Sequence, residues 1–591
     1  MNVTQERNQH SNEFGDLLIS HLEALGIDYV FGVPGGAIEP LVNALARSER
    51  RGGPRSVVCR HETGAAFMAA GYHSLSGRLG VCYATTGPGA TNLVTGVASA
   101  YASNTPLLVI SAQTALNTFG RSALQESSCT GTNTLAIFES ITRYNSLVSH
   151  PDQFERKLVA AILAAWGSPR GPVHLSVPSD VMKHLVRGER HYPGLPQLLL
   201  RRDAIDRQTL DTLVNLLIES RHPVFVVGDD ATAAAPAISE LATRLDIPLV
   251  TTPQGKGLVA PCNPLYRGVI GFAGHTTAVE TLRDPKVDLV VVIGSSLGEW
   301  ASNGWDTQAI LNEQLVHIAS QDNHFYDSPM AKQHVRGDIE LIFRDILCRL
   351  DSADCPRYSK KPLEQRATPG RAEYPFALDE SNACSDDKLP LLPQRLMTEL
   401  PRLLPADTHY FADSGNSLAW AVHYLHPRHQ PTQAAGQGGK LFHGSFEFAS
   451  MGWAIACSVG AALALGGRTP VVCLTGDGSY LMSSQEITVA IQQQLPVIYV
   501  ILNDAGYGMV KHGQRLTAAE PVGFDLPRID YAAIARAMGV EGHIIRSISD
   551  LVALDMEHIC QRPGPTLLDV RIDPEAQPPI GLRTRVLKGE Q

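Results

Sequence analysis

The chain has 591 residues, 44% apolar and 18% charged, with 49 basic against 59 acidic side chains and a formal charge of −10. That balance excludes a disordered chain, supplies three large units or about four smaller ones, and, with no Lys/Arg block, argues against nucleic acid as a partner. Ten scattered cysteines without a C-x-x-C pair suit reduced thiols in a cytoplasmic protein.

The first residues, MNVTQERNQHSNEFGD, are polar and lack an apolar run, so no secretory signal is expected. Residues 13–25 carry helical apolar spacing, and 28–33 (DYVFGV) read as a strand running into a Gly/Pro turn. LGVCYATTGPGATN reads as strand, glycine-rich turn and helix; PLLVISA (106–112) and GPVHLSVPSD (171–180) add strands. Residues 186–203 are charged and read as a connection. PVFVVGDD, IPLVTTP and VDLVVVIGSS continue the pattern, with AAPAISELATRL as a helix between strands. Residues 351–389 are rich in Pro, Ser, Lys and Asp and read as a surface linker. The last third returns to strands in THYFADSG, TPVVCLTGDGS, LPVIYVILND and TLLDVRID. Short apolar runs alternating with helices predict an α/β fold of three doubly wound parallel-sheet domains: 1–186, 204–350 and, after the linker, 390–591. Residues 448–467 are uncharged and long enough to span a bilayer, but their Gly, Ala and Ser content reads as a helix packed on all sides, and no membrane association is expected.

The most specific pattern is Gly476-Asp477-Gly478 at the end of one strand, followed 24 residues later by Asn503-Asp504 at the end of another. Neighbouring parallel strands present such loops to one crevice. Asp477 and Asp504 would offer hard oxygen ligands to Mg²⁺, and the helix opened by Gly478 and Ser479 would offer N–H groups to a diphosphate. An ordinary tight turn is the plainer reading of GDG alone. A rival of another class is Gly294-Ser295-Ser296-Leu297-Gly298, a G-x-S-x-G pentapeptide after a strand, which would make Ser296 the nucleophile of a serine hydrolase.

GDG-x24-ND resembles the metal–diphosphate motif of thiamine diphosphate (ThDP)-dependent enzymes. FGVPGGAIEPLVNAL, CRHETGAAFMAAGYHSLSGRLGVCYATTGPGATN, TTPQGKG and GYGMV extend the likeness, in order, to acetolactate synthase large subunits. The resemblance implies a ThDP- and Mg²⁺-dependent 2-oxo acid decarboxylase and carboligase, with simple decarboxylation as the alternative. It implies Glu62 as the carboxylate that shares a proton with the aminopyrimidine ring, Gly35 and Gly36 beside the thiazolium, and Gln125 facing the reacting centre. Asn416, Ser417, Gly476, Gly478 and Ser479 would contact the diphosphate, Met451 and Met509 the cofactor body, and a backbone oxygen of Gly506 the metal, beside Asp477 and Asp504. Leu124, Val510 and Gly513 would line the substrate pocket. In this family the two halves of a site come from different subunits, so a homodimer or homotetramer with active sites at the interface is expected.

Three departures matter. Gly228-Asp229-Asp230 and GSSLGEWASNGWD stand where relatives bind a non-redox FAD; carboxylates replace glycine and an arginine is missing, so no FAD is expected. Leu124 and Gly513 replace a phenylalanine and a tryptophan, which points to an acceptor or donor bulkier than pyruvate. Phe446-Glu447, near His443, replaces Gly-Gly; the roles of His443, Glu447 and His512 stay open.

Overall fold

A computed structural model describes residues 11–187, 191–200, 205–352, 374–428 and 439–588. It contains three six-stranded sheets, each wholly parallel. The chain forms two compact units: 1–201 with 447–466 and 483–495, and 202–446 with 467–482 and 496–591.

In the first unit the sheet runs Arg55–Val58, Tyr29–Gly32, Gly80–Ala84, Leu107–Gln113, Val173–Pro178, Tyr144–Leu147. Every residue of Gly80–Ala84, Leu107–Gln113 and Val173–Pro178 is buried, the pattern of strands covered on both faces. In chain order the strands lie 2-1-3-4-6-5, so the connections reverse between the first and third strands, where a crevice opens at the carboxyl ends. The helices Glu62–Ser76 and Trp453–Ala464 meet backbone to backbone: a side chain at Gly71 would overlap the carbonyl of Cys457, and one at Gly460 the carbonyl of Met68. Close backbone approach is why the uncharged 448–467 run is built of small residues. Among the described residues no helix is long and apolar enough to cross a membrane.

The second unit holds two sheets. The central one runs Tyr266–Val269, Leu249–Thr251, Pro223–Val227, Leu289–Ile293, Leu315–Ala319, Gln333–Arg336, or 3-2-1-4-5-6 in chain order. The last runs Phe442–Gly444, His409–Ala412, Val471–Gly476, Val497–Asn503, Thr566–Arg571, Glu541–Ile545, again 2-1-3-4-6-5. One of its faces packs Tyr410, Phe442, Val472, Leu474, Ile498 and Val500 into a core with Trp420 and Tyr424.

Three local expectations need correction. Residues 186–203 are not a plain connection: Leu185–Arg187 pairs antiparallel with Ser11–Glu13, and Leu195–Leu199 is a helix that buries Leu195. The middle of the 351–389 linker lies outside the described residues, but its end is ordered by packing. Phe376 is buried edge-on against Tyr266 at 5.3 Å, and the Tyr424 hydroxyl donates to the Asp379 carbonyl at 3.0 Å. The helix expected after Gly478 begins at Asp477 and breaks into Asp477–Ser483, a tight turn Ser484–Glu486, and Ile487–Gln492, because the turn carries Glu486 into the interior.

Candidate active site

In the first unit Glu62 is the first residue of its helix. His61 caps that helix, its Nδ1 accepting the Thr63 amide at 3.2 Å. Glu62 is 8% exposed, and its Oε2 accepts a hydrogen bond from Asn92 Nδ2 at 2.9 Å. Oε1 lies over Gly89, where an added Cβ would sit 3.3 Å from it. The carboxylate thus has one anchored and one presented oxygen. Gly35 is pressed against Thr85, with 2.6 Å between a built Cβ and Thr85 Cβ, whereas nothing lies within 4 Å of Gly36. Gln125 adopts φ +59° on an exposed loop and stacks its Cβ over Gly87. Its carbonyl accepts from Thr86 Oγ1 at 3.0 Å, and Gln113 Oε1 holds the same loop through the Ser127 amide at 3.1 Å. Leu124 is left 89% exposed. Met451 also belongs to this unit, on the chain leading into Trp453–Ala464.

One buried group escaped the sequence reading. Glu486 is fully buried, its Oε2 accepts the Arg60 amide at 3.2 Å, and its Oε1 has no hydrogen-bond partner among the described residues. A side chain at Gly64 would come within 2.6 Å of the Glu486 carboxyl, so Gly64 makes room for it. Burial, with the Glu62 charge adding to it, pushes the Glu486 carboxyl up to about 7. Nothing in the local sequence SSQEITV marks this glutamate, because its burial depends on a helix more than 400 residues away.

In the second unit the loops after three adjacent strand ends converge. Asp477 follows Val471–Gly476, Asp504 follows Val497–Asn503, and Asn416 opens the helix Asn416–Tyr424 just beyond His409–Ala412. Gly415 enters that helix at φ +113°, a backbone conformation open to glycine. Asp477 is 1% exposed; its Oδ1 accepts the Gly478 amide at 2.8 Å, while Oδ2 has no hydrogen-bond partner among the described residues. The amides of Ala505 and Gly506 face the Asp477 carboxylate. Asp504 Oδ2 and Asn416 Nδ2 both close over Gly508, leaving no room for a side chain there, and Asn416 Oδ1 is buried without a partner. Burial drives both carboxyls up, and the charge of Asp504 adds to the rise at Asp477. Around them Ser417 Oγ donates to the Asp413 carbonyl at 2.8 Å and Ser479 Oγ to the Ser414 carbonyl at 3.4 Å. Gly478 packs on the Tyr507 ring, and Gly476 faces open space. Met509, Val510 and Gly513 lie on the helix Gly508–Thr517, with Val510 exposed and nothing within 4 Å of a Cβ built on Gly513.

The rival readings have less to stand on. Ser296 is followed by irregular chain, so the strand–turn–helix of a nucleophile elbow is missing. The nearby His317 is committed, its Nε2 donating to the Ser295 carbonyl at 2.7 Å and its Nδ1 bonded to Ser328 Oγ at 2.8 Å. At the central sheet's reversal point Gly228 and Gly294 abut, and the Asp230 amide donates to the Gly294 carbonyl at 3.1 Å. Asp229 and Asp230 follow Gly228 at this point. His443 is buried and stacked on Phe411 at 4.5 Å, and burial pushes its ring well below its ordinary range. His512 is buried and lowered for the same reason, and Glu447 is exposed.

Comparison with known families agrees with this geometry. The description "Thiamine pyrophosphate enzyme, N-terminal TPP binding domain" matches residues 12–132, "central domain" of the same enzymes 210–346, and "C-terminal TPP binding domain" 413–570. The chain is 28% identical over 562 residues to acetolactate synthase isozyme 1 large subunit of Escherichia coli, covering 95% of this chain and 94% of that one. It is 29% identical over 575 residues to an acetolactate synthase large subunit of Parasynechococcus marenigrum, covering 94% and 86%. Acetolactate synthase of Arthrospira platensis gives 28% over 568 residues, with 94% and 93% covered. All three matched segments fall one to a sheet and in family order, and the strand-end carboxylates and Glu62 stand inside them: the chain belongs to the thiamine diphosphate-dependent enzymes and is a carboligase of the acetolactate synthase-like kind.

Proposed function

We propose that the protein is a Mg²⁺- and ThDP-dependent 2-oxo acid decarboxylase and carboligase, acting as a homodimer or homotetramer on an acceptor or donor bulkier than pyruvate. The observation that carries the metal assignment is the Oδ2 of buried Asp477, without a hydrogen-bond partner among the described residues, near half-buried Asp504. Burial raises the proton affinity of both carboxyls, and a dication would offset that by favouring both ionised. Among the described residues no three His, Cys, Asp or Glu side chains are placed to hold a metal ion on their own, so the remaining ligands would be the Gly506 backbone oxygen and phosphate oxygens, as suits Mg²⁺. Asn416, Ser417, Gly476, Gly478 and Ser479 would hold the diphosphate, and Met451 and Met509 the rest of the cofactor. When bound, ThDP supplies a nucleophilic carbon and an electron sink.

The protein's own part is to orient and to move protons. Asn92 fixes Glu62 Oε2, so Oε1 is the oxygen that would face the aminopyrimidine. Gly35, Gly36 and Gln125 would shape the approach to the reacting centre. The open space at Gly513 supports a wide pocket. The exposed Leu124, Phe448, Leu481 and Met482 support burial against a second copy. The nine cysteines described are all free, in keeping with a cytoplasmic protein. The carboxylates Asp229 and Asp230 support a central domain without FAD, and the domain limits 1–186, 204–350 and 390–591 are kept as working boundaries. The test is a matrix of 2-oxo acids against aldehyde and ketone acceptors, read as kcat/KM. Acetolactate from pyruvate alone as the best reaction would defeat the bulk assignment, and CO₂ release without coupling would make the enzyme a simple decarboxylase.

A further inference from the structure

The second unit buries a lysine without a counter-charge. Lys256 follows the strand Leu249–Thr251 and is 2% exposed. Its Nζ has one hydrogen-bond partner, His426 Nδ1 at 3.2 Å, and sits 5.6 Å from the centre of the Phe442 ring. No carboxylate pairs with it among the described residues; the nearest acid to the cluster, Asp379, lies 3.9 Å from His423 instead.

The surrounding histidines are held neutral by geometry. His426 Nε2 can only donate to the His423 carbonyl at 3.0 Å, which leaves Nδ1 as the acceptor from Lys256. His275 Nε2 donates to the same carbonyl at 3.0 Å, and its Nδ1 accepts the Val269 amide at 2.9 Å. His423 Nδ1 donates to the Ala273 carbonyl at 3.2 Å, and its Nε2 accepts the Asp379 amide at 3.0 Å. Each ring has one donor and one acceptor nitrogen in use, the neutral form. The remaining titratable neighbour, Tyr266, shares its hydroxyl with Thr251 at 2.8 Å. Burial accordingly pulls the lysine down to about 7 and all three histidines below their ordinary range.

An ammonium has three donors, and only one is taken here by a described residue. Lys256 lines a crevice with Gly257, Val259, Pro261, Tyr266 and Pro427, whose inner space takes an occupant about the size of one water molecule. We propose that this crevice binds one compact monovalent anion on the Lys256 ammonium, a halide in the inner space or a formate with one oxygen seated there. The pair would be neutral overall, which removes the cost of a lone buried charge. Larger or divalent anions would not fit. The site stands at the carboxyl-terminal end of the helix that begins at Asn416, where a cation is also favoured by the helix dipole. This inference does not rest on the proposed reaction.

The test uses the full chain loaded with ThDP and Mg²⁺ as sulfate salts. Potassium chloride or potassium formate is added to weakly buffered protein at pH 8, and proton uptake is followed by pH-stat, with potassium sulfate at equal ionic strength as control. An anion that captures the ammonium form should draw in close to one proton per chain, with chloride and formate active and sulfate inactive. The uptake should vanish in Lys256→Met, which keeps the side-chain length. If chloride and formate act no differently from sulfate on the wild-type protein, the site is refuted even should the variant fail to fold. Equal uptake in a folded Lys256→Met protein refutes it as well.

Discussion

The first and last sheets share one strand order, 2-1-3-4-6-5, but their carboxyl ends carry opposite chemistry. After its third strand the first sheet has Thr85, Thr86 and Gly87; the last has Asp477, Gly478 and Ser479. After its fourth strand the first ends on Gln113, the last on Asn503 and Asp504. Gln113 Oε1 accepts from the Thr114 and Ser127 amides at 3.0 and 3.1 Å, so that crevice is neutral and satisfied from within. Its counterpart holds a buried and a half-buried carboxyl, Asp477 and Asp504, and a carboxylate oxygen without a partner among the described residues, which would suit a cation. The one reactive charge of the first sheet, Glu62, sits off to the side, after the second strand. One topology therefore carries a neutral strand-end crevice in one place and a pair of carboxyls in another; side chains, not strand order, set the chemistry.

The largest expected effect comes from removing the first sheet's charge. Glu62→Gln should keep ThDP affinity yet lose about 10²–10⁴-fold in turnover, the scale of general acid–base catalysis. Unchanged exchange of the cofactor's reactive proton in that variant would end the assignment. On the last sheet the phenotype should invert: Asp477→Ala should weaken Mg²⁺-dependent ThDP binding by at least about 10–100-fold, with the far-ultraviolet dichroism intact. Isothermal titration distinguishes the two, and equal ThDP affinity in wild type and Asp477→Ala would mean that the carboxyl pair is not an ion site. Gly513→Trp should shift the kcat/KM ratio toward small acceptors by roughly 10-fold or more, the scale of shape discrimination in a pocket. A constant ratio would remove Gly513 from the pocket.

Two smaller effects sharpen how Glu62 is held. Gly71→Ala should destabilise the protein by about 1–3 kcal/mol, since the new methyl overlaps the Cys457 carbonyl; denaturant unfolding measures it, and a neutral result would show that the two helices can part. Glu486→Gln tests a proton. The Glu486 carboxyl rises from its ordinary 4.5 to about 7, so the wild type loses stability as pH climbs through that window, while glutamine has nothing to ionise. The gain in Tm from Glu486→Gln should be larger at pH 8 than at pH 5. A gain independent of pH would mean that Glu486 is ionised throughout.

Much of this was legible in the sequence because it is local. Apolar runs marked the strands, and glycine and aspartate at their ends marked the loops that bring Asp477 and Asp504 near one another, since a strand end and the loop after it are set by neighbours in the chain. Asn92 on Glu62, Gly89 beneath it, Glu486 and the Lys256–His426 pair were not legible, because each depends on a partner brought near by the fold. The break at Ser484 was missed for the same reason: helical spacing in LMSSQEITV is real, but burial of Glu486 overrides it. The shared order of the first and last sheets leaves no sequence repeat, as strand order is kept by connections and handedness rather than by particular residues.

The backbone contact between Gly71 and Cys457 also bears on synthesis. The helix Glu62–Ser76 leaves the ribosome about 390 residues before the helix that covers its glycine face. At about 5–20 residues per second that interval is on the order of 20–80 s. Throughout it the face made smooth by Gly64 and Gly71 is open to other chains and to chaperones. The first unit therefore cannot finish folding as it emerges, and its completion waits for residues 453–495, so a nascent chain arrested before them should be a better chaperone client than one arrested after.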